Sequence, residues 1–171
     1  MSDSGPAASD IEIDPSLYRK VLGHFPTGVT VVAAQSDGHP VGLAIGSFFS
    51  VSLDPPLVGF CVATTSSSWP AIEAVGRFGV SVLAEDQHET SGQFASKAED
   101  KFEGVSWEPA SVTGSPLIQG AVAHIDCELE EQFTAGDHLI VVGRVKDLDV
   151  HRDDVGPLLF FKGAYGRHTP A

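Results

Sequence analysis

The sequence predicts a mainly β protein, an antiparallel barrel with short flanking helices. Three observations carry this. Seven segments have strand composition, and tight turns join several of them. One segment, Ala121 to Phe133, alternates apolar and polar residues along its whole length, which is the period of a half-exposed strand. The βα alternation of a doubly wound fold is missing, and no G-x-G-x-x-G follows any strand.

The elements follow in order. Residues 1 to 13 are small, polar and acidic and read as a disordered tail; residues 14 to 171 read as one domain. Asp14 can cap a first helix, Pro15 suits its first position and Gly23 its exit, with Leu17, Val21 and Leu22 as the apolar face. Val29 to Ala34 is a strand. Ser36-Asp37-Gly38-His39 is a turn, and Val41 to Phe49 returns beside it. Asp54-Pro55-Pro56 breaks the chain before the strand Leu57 to Ala63. A short helix spans Trp69 to Gly76, and Phe78 to Leu83 is a strand. Asp86-Gln87-His88-Glu89 resembles a capping box that opens a helix to about Phe94. In the alternating segment, Ala121, Ala123, Ile125, Cys127, Leu129 and Phe133 share one face; His124, Asp126, Glu128 and Glu130 share the other, expected to be exposed. A Gly136-Asp137 turn leads to the strand His138 to Val145. Leu158 to Phe161 is the last strand, followed by Gly163-Ala164-Tyr165-Gly166.

Composition excludes several functions. Ten Lys+Arg against 23 Asp+Glu give a net charge of −13, which repels nucleic acid and anionic membranes. No apolar run is long enough to span a membrane, and the opening residues lack a leader's basic and apolar regions. The two cysteines, Cys61 and Cys127, fit buried free thiols in a reducing cytoplasm. The seven histidines show no short ligand spacing and there is no C-x-x-C, so no metal is expected. There is no G-x-S-x-G elbow.

Three places can carry chemistry, and each has a plain alternative. Thr64 to Ser68 are five hydroxyl residues before a helix start: an anion cradle, or a capped soluble loop. The small residues in Gly42-Leu43-Ala44-Ile45-Gly46-Ser47 mark close approach of a flat ligand, or a barrel corner. His138 opens a strand after a turn: a functional histidine, or a hydrogen-bonded structural one.

The chain also carries a series of motifs in order. They are Phe25-Pro26-Thr27-Gly28-Val29-Thr30-Val31-Val32, Ser47-Phe48-Phe49-Ser50-Val51-Ser52-Leu53-Asp54-Pro55-Pro56, the Ser-rich loop before Trp69, Gly76-Arg77-Phe78, Asp100-Lys101-Phe102, Gly114-Ser115-Pro116, Gly136-Asp137-His138 and Pro157-Leu158-Leu159-Phe160. Over residues 17 to 165 this resembles the short-chain flavin reductase family, the FMN-binding split-barrel reductases that feed two-component monooxygenases. The resemblance implies a homodimeric split barrel. It implies FMN as cofactor, with FAD the alternative, NADH or NADPH as co-substrate, and a separate monooxygenase component as partner. The family's flavin motif falls on Ala44, Ile45, Gly46, Ser47 and Phe48, with Ser50 and Val51 following. Its phosphate loop falls on Thr65, Ser66 and Ser67. Its Gly-Asp-His motif places Asp137 beside the cofactors and His138 at the nicotinamide side, the one residue expected to be catalytic. Phe94, Lys97 and Lys101 fall near the flavin or its phosphates, and Tyr165 near the nicotinamide. The chain departs from many relatives at Ala44-Ile45-Gly46, where they carry two polar side chains, and at Thr64, where some carry Arg. The competing functions are a non-catalytic flavin-binding module, an oxidase of the pyridoxamine-phosphate oxidase type, and an assembly protein with no small ligand.

Overall fold

The computed structural model describes residues 12–170. The first eleven residues of the expected tail lie outside the described residues. Helix α1 (Pro15–Leu22) begins as read: the Asp14 carboxylate accepts the Ser16 N–H at 2.9 Å. Strands β1 (Thr27–Gly28), β2 (Thr30–Ser36), β3 (His39–Ile45), β4 (Phe49–Leu53) and β5 (Pro56–Ala63) follow. Then come α2 (Trp69–Val75), β6 (Arg77–Val82), α3 (His88–Ala95), β7 (Trp107–Pro109), β8 (Pro116–Ile118), β9 (Ala123–Ala135), β10 (His138–Val150), β11 (Leu158–Phe161) and β12 (Ala164–Arg167). All strand pairs are antiparallel.

The main sheet has seven strands in the order β3-β2-β6-β9-β10-β5-β4. Strands β3 and β5 are five spacings apart in that order, about 24 Å in a flat sheet. Yet Leu43 and Ile45 of β3 share one core with Val58, Phe60 and Val62 of β5. The sheet therefore curls into the expected barrel, open along the seam where β3 and β5 do not pair. Phe60 fills its centre, edge-on to Trp69 at 5.6 Å and to Phe78 at 5.5 Å between ring centroids. Trp69 and Ile72 bring α2 onto the same core.

A second core lies outside the barrel wall. Val29, Val31 and Ala33 point into it with Phe94 of α3, Phe102, Ile118 of β8 and Leu158 of β11, while Val32 and Ala34 point into the barrel. Strand β2 is thus dry on both faces. The three-stranded sheet β1-β11-β12 joins here: Val29 N–H donates to Leu158 O, Leu158 N–H to Leu83 O, and Leu83 N–H to Val29 O.

Several expectations change. The strand read over Val41 to Phe49 breaks after Ile45 into a corner, and β4 starts at Phe49. Strand β10 runs to Val150 rather than Val145. Asp86 forms no capping box; its carboxylate pairs with Arg152, and the Gln87 side chain accepts the Ala84 N–H. The largest correction concerns β9. His124 and Asp126, expected on the exposed face, are 4% and 3% exposed. The β7-β8 hairpin and its loop cover them. The Asp126 carboxylate accepts the Val112 and Thr113 N–H groups and the Thr113 hydroxyl. Burial pushes the adjacent Cys127 thiol up to about 12.

Gly79 lets that cover settle. It stands opposite Asp126 in the β6–β9 ladder, and a Cβ there would lie 2.7 Å from Leu117 Cδ2 and 2.8 Å from Pro116 O. Gly79→Ala should lower stability by about 1–3 kcal/mol. A thermal melt checks this, and an unchanged melting temperature would show that the hairpin does not bear on Gly79.

Candidate functional site

The corner between β3 and β4 is built by its backbone and by Ser47. The Ser47 hydroxyl accepts the Cys61 N–H at 2.9 Å and donates to Cys61 O at 3.1 Å. It ties the corner to β5, so both its hydrogen-bonding roles are taken within the chain. Ile45 points into the barrel core, and its carbonyl accepts from the Thr30 hydroxyl. What the corner shows to solvent is Gly46 and the part-buried Phe48, in an apolar cavity of about 650 Å³ shared with Leu22, Phe25 and Phe49. Ser50 and Val51 are exposed on β4.

The Ser-rich loop leaves the end of β5 and is fixed from both sides. Thr64 donates its N–H and its hydroxyl to Asp137 O, each at 3.0 Å. This joins the loop to the β9–β10 turn, where His138 pairs with Ala63. The Ser66 hydroxyl accepts the Trp69 N–H, the first amide of α2, while the N-cap residue Ser68 makes no side-chain capping bond. Thr65 and Ser67 are exposed.

A second cavity, about 320 Å³, holds Ser67, Ser68, Lys97 and Lys101 against Gly42 of β3. Lys101 donates to Phe94 O at 3.1 Å and to the Ser68 hydroxyl at 3.3 Å. Burial holds its ammonium below the usual lysine range. Among the described residues it has no carboxylate partner. Phe94, expected near a ligand, is fully buried: its ring packs on Phe102 at 4.9 Å and lies where a Gly42 Cβ would be. Only its carbonyl serves the cavity, by holding Lys101.

At the β9–β10 turn the exposed His138 Nδ1 lies 2.7 Å from the Asp137 carboxylate. That bond holds the Asp137 carboxyl below its usual range. Tyr165 stands apart, in a cavity of about 240 Å³ with His88 and Arg167, its hydroxyl 2.9 Å from the Ser91 hydroxyl. The structure therefore brings Ser67, Lys97 and Lys101 together, and Gly46, Ser47 and Phe48 together. It joins Thr64 to the Asp137–His138 turn and leaves Tyr165 in a cavity of its own. Gly42 and Ser68, which belong to the two candidate runs but not to the family's site positions, and Phe25 line these cavities as well. Their signals were a glycine inside a strand, the last of the hydroxyl run and the Phe-Pro-Thr-Gly motif.

Residues 22–169 match the model of the flavin reductase like domain. The chain belongs to the flavin reductase family. It is 50% identical over 153 residues to the reductase subunit HsaB of a flavin-dependent monooxygenase from Rhodococcus jostii, covering 90% of this chain and 77% of that protein. Among solved structures it resembles nitrilotriacetate monooxygenase component B from Mycobacterium thermoresistibile. The TM-score is 0.86 and the identity 46%, over 91% of this chain and 90% of that one. It also resembles the NADH:FAD oxidoreductase SgcE6 of Streptomyces globisporus, solved with NAD and FAD fragments. There the TM-score is 0.86 and the identity 38%, over 93% and 97% of the two chains. The split-barrel architecture of this family is the curled, seamed sheet seen here.

In this family member the Ser47 side chain ties the corner to β5. Ser47→Ala should lower stability by about 1–3 kcal/mol, because the Cys61 N–H loses its partner. Urea unfolding measures this; an unchanged midpoint would mean the corner holds to β5 without Ser47.

Proposed function

We propose that this chain is the reductase component of a two-component monooxygenase. It takes hydride from NADH, reduces FMN, and releases the reduced flavin to a separate oxygenase. One observation carries the reading. Lys101 is a half-buried cation that forms no ion pair among the described residues; it lines one cavity with Lys97, Ser67 and a single carboxylate, Glu99, in a chain with 23 acidic and ten basic residues. So acidic a surface repels a phosphate unless a local site is built for it. The kinship to reductase subunits and to an NADH:FAD oxidoreductase supports the same reading.

The flavin supplies the redox chemistry when bound, as hydride acceptor. The protein supplies position. Lys101 and Lys97 hold the phosphate, with Thr65 and Ser67 as further donors. The corner at Ala44 to Phe48 holds the ring through its backbone, because Ile45 is in the core and the Ser47 hydroxyl is engaged. Asp137 orients His138 through Nδ1 and leaves Nε2 to position the nicotinamide. His138 is a positioning group, since hydride transfer needs no base. Tyr165 lies on the nicotinamide side. Phe94 contributes through Lys101. NADH is preferred to NADPH because a 2′-phosphate calls for further basic groups.

The protein acts as a homodimer. Helix α1 buries none of its residues, and Leu17, Val21, Leu22 and Phe25 are exposed, the last two in the apolar cavity beside the corner. A second subunit across this face covers them and closes the apolar cavity beside the corner. Two free thiols support a cytoplasmic setting.

Lys101→Met should raise the KM for FMN about tenfold or more and leave riboflavin reduction unchanged. NADH oxidation followed at 340 nm reads both; an equal loss with riboflavin would mean that Lys101 acts only through Phe94 and Ser68. His138→Ala should lower kcat/KM for NADH about tenfold while the flavin dissociation constant stays the same. Unchanged NADH kinetics would remove His138 from the site.

A further inference from the structure

Strand β9 carries one buried histidine that flavin reduction does not use. The Nε2 of His124 lies 2.8 Å from the carbonyl oxygen of Ile118. A carbonyl only accepts, so Nε2 bears the proton and Nδ1 the lone pair. That Nδ1 is buried and has no hydrogen-bond partner among the described residues. An unpaired buried acceptor is destabilising as it stands. A backbone carbonyl on the far ring nitrogen is also the usual way a metal-ligating histidine is oriented.

Two further ligands stand beside it. One ligand atom each from Glu108 on β7, His124 on β9 and His151 just past β10 lie within 4.8 Å of one another. The two imidazole centroids are 4.3 Å apart. They line a cavity of about 200 Å³ whose wall also carries Asp147 and Asp149 and no Lys or Arg. Asp149 faces His124 across the β9–β10 ladder. The field in this cavity favours a cation.

We propose that Glu108, His124 and His151 form a binding site for a divalent transition-metal ion of the zinc class. Two imidazoles and a carboxylate suit zinc; magnesium and calcium take oxygen ligands. In a four-coordinate zinc site the ligand atoms sit about 3.4 Å apart. Closing from the present spacing takes roughly 1 Å of side-chain movement, which the exposed His151 can make. A water completes the set. The ion clamps the β7-β8 hairpin to the sheet and to the end of β10. Sequence spacing gave no sign of this cluster because the three residues come from separate elements.

The experiment is calorimetric titration of the metal-stripped full chain with zinc chloride, with magnesium chloride as control. The result expected is one zinc per chain, no binding of magnesium, and a melting temperature about 5 °C higher with zinc. Cobalt(II) should give the strong visible bands of a four-coordinate site. His151→Ala and Glu108→Gln should each weaken zinc binding at least about tenfold, with flavin-dependent NADH oxidation unchanged. Failure of the wild type to bind zinc stoichiometrically overturns the proposal. So does equal zinc affinity in the wild type and both variants, which would place the ion elsewhere.

Discussion

The structure depends on one strand that is dry on both faces. From Val29, just before β2, to Ala34 within it, no residue is more than 5% exposed. Such a strand needs two cores, and they set the architecture. Val32 and Ala34 demand that the sheet close over them, which it does by curling until β3 and β5 share an interior. Val29, Val31 and Ala33 demand an outer cover, which α3, β8 and β11 provide. Its side chains are small because both sides are crowded; Val and Ala leave room for Phe60 and Phe78 within and Phe94 without.

The site follows from the same curling. A sheet that closes on itself must turn a corner, and it does so between Ile45 and Phe49, where Gly46 and Ser47 replace bulk. The Ser47 hydroxyl ties the corner to Cys61 on β5, in register with the β4–β5 ladder. The outer cover brings the second part. Phe94 is locked into β2's outer core, and its carbonyl sets the Lys101 ammonium over the Ser-rich loop. Packing and the candidate site are therefore not separable at Phe94.

The longer strands were legible, β2 as an unbroken apolar run although both its faces are dry. Period two marked β9, and the Asp-Gly turn marked the β2–β3 hairpin. The three-residue strands β7 and β8 were not, because Pro109 and Pro116 bound them and so short a run has no period. Their absence from the reading explains the error at His124 and Asp126: alternation shows that two faces differ, not that the polar one meets water. The family motifs carried the site's residues but not their division of labour. Sequence could not show that Ser47 and Ser66 are engaged within the chain, or that Phe94 presents only its carbonyl.

Strand β10 links the two polar regions and keeps them apart. His138 opens it beside Thr64, and Asp149 and His151 stand at its other end. Twelve residues of extended chain span about 40 Å. A Debye length at physiological salt is about 8 Å, so charge at one end does not reach the other. Coupling between them has to be mechanical, through the β9–β10 ladder. That ladder shifts register twice, at Val142/Gly143 and at Val145/Asp147, and each shift bends the strand and increases its local twist. The β7–β8 hairpin, which covers the first part of β9, and the turn that presents His138 thus lie at opposite ends of a ladder that is not one continuous register.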